Sequence, residues 1–163
     1  FINEDFETIY KATSKEFQQM LGLNEFQHVC HAFNQDVQHY EKFLEKQWFG
    51  TTQVVWLDQN KEKAIQFVYD QNQVITGLYV KSFETYSSDH KMTKNHYRMP
   101  ICNEWFVFWG GINEFENYHY VYENQRYAYD LVRVKNGATF ESTNLMNENY
   151  TISLSNSQLR IVN

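Results

Sequence analysis

Asp130 is the residue whose neighbours in the sequence point most strongly to chemistry. Residues 126–134 have the composition of a strand, and alternation along it places Asp130 in a row of apolar side chains. A buried carboxylate is costly unless it is hydrogen-bonded, paired with a cation or bound to a metal. Two hypotheses therefore stay open. One is an ion pair with Arg126 or Arg133, and the other is a metal role, for which His119 is the one histidine near Asp130 in the sequence.

His28 and His31 form a second candidate group, because residues three apart share a helix face and zinc can use such a spacing. The pattern lacks the glutamate that follows the first histidine in helical zinc-protease motifs, so we expect surface or half-buried histidines here. The chain also carries no His-x-His, Gly-x-Ser-x-Gly, Walker-type or Cys-x-x-Cys motif. The sequence therefore predicts no catalytic residues.

Composition excludes several classes of protein. The 163 residues carry a net charge of −6, which gives no basic footprint for nucleic acid. No apolar run is long enough for a transmembrane helix. Aromatic residues make up 18% of the chain, which argues against disorder. With two cysteines, Cys30 and Cys102, no multi-bridge disulfide scaffold is possible, and we expect both to be free thiols.

The first 33 residues of the chain have helical periodicity. Apolar residues between Phe6 and Phe33 recur at spacings of three and four, which predicts two helices. Thr13 with the serine after it can break the first helix and Gly22 can end it. Asn24 is the expected N-cap of the second helix.

From residue 51 the period changes to two, which is typical of half-buried strands. Strands are expected at residues 53–57, 64–69 and 74–80, while residues 39–49 fit a helix or a strand. Helices followed by an antiparallel meander define an α+β fold. Residues 105–109, which read Trp-Phe-Val-Phe-Trp, are apolar on both faces and predict a strand in the interior.

The C-terminal half carries a family resemblance. Residues 104–111 (EWFVFWGG), 117–120 (NYHY) and 124–130 (NQRYAYD) resemble the opening of a lysostaphin/LytM-type zinc metallopeptidase domain from Gram-positive bacteria. Residues 1–83 are similar to the nuclear transport factor 2-like accessory domains of such proteins, on the region around Asn34, residues 55–58 (VWLD) and residues 74–78 (VITGL). The resemblance spans about residues 4–150 and favours a strand over residues 39–49.

The resemblance implies a domain organisation. Residues 1–86 are expected to be a cone-like accessory domain with N-terminal helices packed on the meander sheet. Residues 87–102 are expected to be a linker, and residues 103–163 a truncated, β-rich metallopeptidase-like segment. Family members continue into a glycine-rich β core, which residues 151–163 (TISLSNSQLRIVN) do not resemble. This departure suggests a natural truncation or a frameshift.

The resemblance also implies a ligand set that is incomplete here. Asp130 matches the family's zinc-binding aspartate, but Arg126 stands at the histidine position four residues earlier, and a guanidinium cannot ligate zinc. His119 is the candidate substitute, so His119 and Asp130 are interpreted as remnant metal ligands. The later His-x-His is missing, and catalytic zinc needs about three protein ligands. We therefore expect no zinc or other cofactor.

Three functional hypotheses follow. The first is a non-catalytic accessory or remnant protein, extracytoplasmic by resemblance, whose expected partner is peptidoglycan peptide. The second is a binding module that holds a small ligand or a cell-wall peptide in the concavity of the cone-like domain. The third is a zinc metalloendopeptidase that completes its site in trans. A deep aromatic pocket between helices and sheet would favour the second hypothesis.

Overall fold

The computed structural model describes residues 1–92, 94–96, 98, 101, 104–134 and 139. The chain divides into two compact units, Phe1–Thr85 and Tyr86–Asn163, here called the N-terminal and C-terminal units. The predicted α+β fold is confirmed, since helices are followed by a four-stranded antiparallel meander and by further strands. Cys102, most of residues 135–163 and several positions between 93 and 103 lie outside the described residues.

Three helices open the N-terminal unit: α1 (Phe6–Lys11), α2 (Lys15–Met20) and α3 (Leu23–Asn34). The predicted break separates α1 from α2, because the Ser14 side chain accepts a hydrogen bond from the Phe17 amide and caps α2. The prediction of Asn24 as N-cap of α3 is wrong. Gly22, in extended conformation, is the N-cap, and Asn24 lies inside the first turn.

The helical layer has an aromatic core formed by Phe6, Phe17, Phe26 and Cys30. Leu78 of the sheet packs against this cluster, so the core joins helices and sheet. Cys30 is a free thiol, as predicted, and burial raises its pKa to about 12. It is therefore an unreactive packing residue in the folded chain.

The meander consists of β1 (Tyr40–Trp48), β2 (Thr51–Asp58), β3 (Lys63–Tyr69) and β4 (Ile75–Ser82), paired in that order. The strand favoured by the resemblance over residues 39–49 is confirmed as β1. Phe49 and Gly50 both have positive φ and form the two-residue turn into β2. The segment between α1 and α2 pairs with the start of β4, since the Ser14 amide donates to the Ile75 carbonyl at 2.8 Å.

The turn after β2 is organised by the buried carboxylate of Asp58. It accepts backbone hydrogen bonds from Asn60 at 3.3 Å and from Glu62 and Lys63 at 2.7 Å each. Burial alone would raise the pKa of Asp58, but these three amides and the Lys63 charge outweigh burial and hold the pKa below its usual value.

Because Asp58 organises this turn, we expect the stability of the N-terminal unit to fall in acid. Because the folded-state pKa of Asp58 is depressed, its stabilising contribution is complete above the unfolded value of about 3.9. The contribution is lost as the pH falls from there through the lower folded-state pKa. Urea unfolding at neutral and acid pH should show a smaller drop in unfolding free energy for Asp58→Asn than for the parent chain. An equal drop in both would contradict the assignment.

The described part of the C-terminal unit contains β5 (Phe106–Trp109) and β6 (Asp130–Val132), paired antiparallel, and a 3-10 helix over Tyr118–Val121. The strand predicted over residues 126–134 is shorter than expected. The prediction that residues 105–109 lie in the interior is wrong, because Val107 and Phe108 are 39% and 37% exposed. β5 pairs only with the three-residue β6 among the described residues, which leaves much of it uncovered.

No described helix has the length and apolar character of a membrane span.

Candidate functional site

His119 and Asp130 lie together in the C-terminal unit. The distance between His119 Nε2 and Asp130 Oδ1 is 3.1 Å, so the two residues interpreted as remnant ligands are adjacent in the structure. The predicted burial of Asp130 is wrong, since its side chain is 40% exposed while that of His119 is 13% exposed. Asp130 opens β6 opposite Trp109, beside the register shift of the strand pair, and this position leaves its carboxylate accessible.

His119 is held in place by two residues that the sequence did not identify as candidates. The backbone amide of His119 donates to Asn117 Oδ1 at 3.1 Å, and Gln125 Oε1 lies 3.1 Å from His119 Nδ1. Both ring nitrogens therefore face oxygen atoms. The imidazolium can donate to both at once, whereas the neutral ring can satisfy both only if Gln125 turns its amide nitrogen inward.

Asn117 is the buried anchor of this region, with 1% of its surface exposed. Its side-chain nitrogen lies within hydrogen-bond distance of the carbonyls of Arg126 at 3.1 Å, Ala128 at 3.2 Å and Gly111 at 3.4 Å. These bonds hold the turn that precedes β6 against the loop that follows β5. Asn117 thereby fixes the approach of Asp130 to His119.

Arg126 does not pair with Asp130, which corrects one hypothesis for that carboxylate. Its guanidinium is buried and its nearest carboxylate oxygen is Oδ1 of Asp89, at 3.4 Å. Arg133, the other predicted partner, is exposed, and Asp130 pairs with His119 instead.

The guanidinium of Arg126 lies between two tyrosine rings. Its central carbon is 4.6 Å from the Tyr86 ring and 4.5 Å from the Tyr120 ring. Nε donates to the Tyr120 carbonyl at 3.2 Å, and one terminal nitrogen donates to Ser88 Oγ. The Tyr120 hydroxyl in turn donates to Asp89 at 2.7 Å. Arg126 is therefore a structural cation of the C-terminal unit.

The donor set does not fit a catalytic zinc ion. His119 and Asp130 are two potential ligands, and the described residues contain no cluster of three or more His, Cys, Asp or Glu side chains suited to a metal. His28 and His31 are both exposed, and His31 Nδ1 lies 3.2 Å from Glu4 Oε2.

The N-terminal unit contains an aromatic pocket of about 410 Å³. Alternate residues of β3 (Ile65, Phe67 and Tyr69) form one side, because every second side chain of a strand points to the same face. Trp56 of β2 pairs with Ile65 of β3 and extends this surface. The other lining residues come from the N-terminus and the start of β1: Phe1, Ile2, Gln38, His39 and Tyr40.

The hydroxyl group of Tyr40 is hydrogen-bonded within the protein. Its hydroxyl donates to Asn34 Oδ1 at 3.1 Å, while burial, with smaller contributions from Asp58 and Cys30, raises its pKa to about 12. The phenol is therefore neutral at physiological pH. Phe67 and Tyr69 stack with ring centroids 5.9 Å apart. The pocket thus offers a surface of several flat rings.

A second cavity, of about 530 Å³, lies in the C-terminal unit beside Asp130 and is here called the β5–β6 cleft. Its described lining is Phe108, Trp109, Tyr118, Tyr129, Asp130, Leu131, Val132 and Thr139. The Tyr118 ring packs on the His119 ring at 3.9 Å and meets Trp109 edge-on at 5.5 Å. Burial, the charge of Asp130 and a hydrogen bond with its carboxylate raise the pKa of Tyr118.

Comparison with known proteins gives no relative. The sequence matches no family model, and no curated protein or solved structure is significantly similar to it.

Proposed function

We propose that the chain is a non-catalytic accessory protein of the cell envelope that acts by binding. Its N-terminal pocket holds a small apolar ligand or an apolar part of a cell-wall peptide. The observation that carries this proposal is the aromatic pocket between the N-terminal segment and the sheet. Its volume of about 410 Å³ falls in the range of about 300–1,000 Å³ typical of small-molecule sites.

The chemistry of the lining favours flat, uncharged groups. Phe1, Trp56 and Phe67 contribute ring surface, and the phenol of Tyr40 is neutral and already hydrogen-bonded inside the protein. Gln38 and His39 are exposed and supply polar groups at the rim. An apolar ring or aliphatic chain would displace water from several aromatic faces at once, which stabilises the bound state.

The remaining parts of the proposal come from the sequence resemblance. The resemblance of residues 104–111, 117–120 and 124–130 to the opening of such peptidase domains is the ground for proposing an extracytoplasmic location and a cell-wall peptide as partner. The ligand count supports a non-catalytic role, because Arg126 replaces the first zinc-binding histidine and His119 with Asp130 supplies two donors.

A fluorescence titration with the uncharged aromatic dye N-phenyl-1-naphthylamine tests the pocket. We expect saturable binding that weakens about tenfold or more in Trp56→Ala, since a buried aromatic side chain contributes about 1.5–3 kcal/mol. Trp48→Ala is the matched control, because Trp48 is a half-buried tryptophan of β1 outside the pocket lining. Equal affinity of the parent chain and Trp56→Ala would refute binding in this pocket.

Metal analysis of the same preparation tests the non-catalytic part. We expect zinc well below one ion per chain and no cleavage of cell-wall peptides. Zinc near full occupancy that is lost in Asp130→Ala, together with such cleavage, would establish the zinc endopeptidase completed in trans instead.

A further inference from the structure

The β5–β6 cleft combines exposed aromatic rings with an accessible carboxylate. Tyr118 and Tyr129 are 48% and 59% exposed, and Trp109 is half-buried beside Tyr118. The side chain of Asp130, which is 40% exposed, borders the same cavity. Single exposed rings are common on protein surfaces, but here several border one cavity that also contains a negative charge.

We propose that the β5–β6 cleft binds an organic ammonium group. The faces of Trp and Tyr rings carry negative potential and attract cations, most strongly where water is partly excluded. An ammonium group bearing carbon substituents suits this lining, because its substituents pack on the rings while its charge faces Asp130. Trp109, Tyr118 and Tyr129 supply the rings, and Asp130 supplies the counter-charge.

The carboxylate of Asp130 keeps capacity for a ligand. An ionised carboxylate has about four acceptor positions. His119 Nε2 lies 3.1 Å from Oδ1 of this carboxylate. This contact fixes its orientation and leaves positions for an incoming N–H group or for the diffuse charge of a quaternary ammonium.

The charge of the surroundings selects a cation over an anion. No lysine or arginine is among the described residues that line the cleft. The charge of the whole chain is −6, which also favours approach of a cation. A metal ion is less suited than an organic cation, since the described oxygen and nitrogen donors here form no cluster of three potential ligands.

Gly110 is needed for one wall of the cleft. A Cβ atom at this position would lie 2.3 Å from Cδ1 and 2.8 Å from Cε1 of Tyr129. The absence of a side chain therefore lets the Tyr129 ring pack directly against the backbone after β5. This contact orders the ring before any ligand binds and so lowers the entropy lost on binding.

Tryptophan fluorescence titrations with choline, methylammonium and 3,3-dimethyl-1-butanol test the proposal. The alcohol has the shape of choline without its charge. We expect saturable binding of at least one ammonium compound and affinity lower by about tenfold or more for the alcohol. Preference for methylammonium identifies a primary amine such as a lysine side chain as the natural group, and preference for choline identifies a quaternary ammonium.

Variants distinguish the cleft from the rest of the surface. Asp130→Asn should weaken ammonium binding about tenfold, and Tyr129→Leu should weaken it several-fold. Tyr122→Leu should leave it unchanged, because Tyr122 is 57% exposed and is not part of the cleft. Circular dichroism of each variant checks folding, and Tyr129→Leu keeps the test valid if Asp130→Asn does not fold. Equal affinity for choline and the alcohol, or no saturable binding of any ammonium, overturns the proposal.

Discussion

Replacing Arg126 by leucine is expected to lower the unfolding free energy of the C-terminal unit by about 2–4 kcal/mol, because it removes the buried cation of a partly buried ion pair together with its hydrogen bonds. Arg126 is 3% exposed and its guanidinium lies between the rings of Tyr86 and Tyr120. The substitution would leave Asp89 without its cation and the Tyr120 carbonyl without its donor. Backbone hydrogen exchange in β5 and β6 measures the loss in this unit.

Two further variants give this prediction its control. Arg126→Lys keeps the charge but loses the planar fork that donates to several partners and stacks on rings, so it should be intermediate. Arg133→Leu removes an exposed arginine of the same unit and should change stability by less than about 0.5 kcal/mol. If Arg126→Leu were as mild as Arg133→Leu, the buried guanidinium would not be a structural centre.

Replacing Phe26 by alanine is expected to lower the unfolding free energy of the N-terminal unit by about 3–5 kcal/mol, the usual result of removing a buried phenylalanine. Phe26 is 2% exposed, and its ring lies 5.4 Å from that of Tyr10 and 6.0 Å from that of Phe17. The substitution leaves a cavity where α3 meets α1 and α2. Hydrogen exchange of the amides in β2 and β3 and denaturant unfolding both report this loss.

Val29→Ala is the matched control for Phe26→Ala, because Val29 lies on the same helix and is 42% exposed. Its effect should stay within about 0.5 kcal/mol. A loss below about 1 kcal/mol for Phe26→Ala would mean that the helices are held to the sheet by other contacts, such as the pairing of Ser14 with Ile75.

The N-terminal unit was predictable because its local patterns and its tertiary structure agree. Period-two alternation in residues 53–57, 64–69 and 74–80 gives strands β2, β3 and β4, and Phe49–Gly50 forms the turn into β2. The helices follow from apolar spacing and from the cap at Ser14. The N-cap of α3 was misplaced because Asn24 has a capping side chain, whereas Gly22 caps by backbone conformation alone.

The C-terminal unit was less predictable because its stabilising contacts are between residues far apart in sequence. Arg126 and Asp89 are separated by 37 positions, and no local pattern links them. Composition predicted a strand over residues 126–134. The turn whose two carbonyls the Asn117 side chain binds was therefore not predicted. The pairing of His119 with Asp130 was suggested by nearness in sequence. The lining of the aromatic pocket in the N-terminal unit was not, since it comes from four separate segments.

The contact of Gly110 with Tyr129 ties the identities of two positions together. A side chain at position 110 would collide with the Tyr129 ring and with Val107, so an isolated change there would push the ring out of place. Loss of the ring at position 129 would remove one of these two constraints on position 110 and leave the contact with Val107. In homologous chains we therefore expect substitutions at positions 110 and 129 to occur together. A chain that keeps both Gly110 and Tyr129 keeps this wall of the β5–β6 cleft.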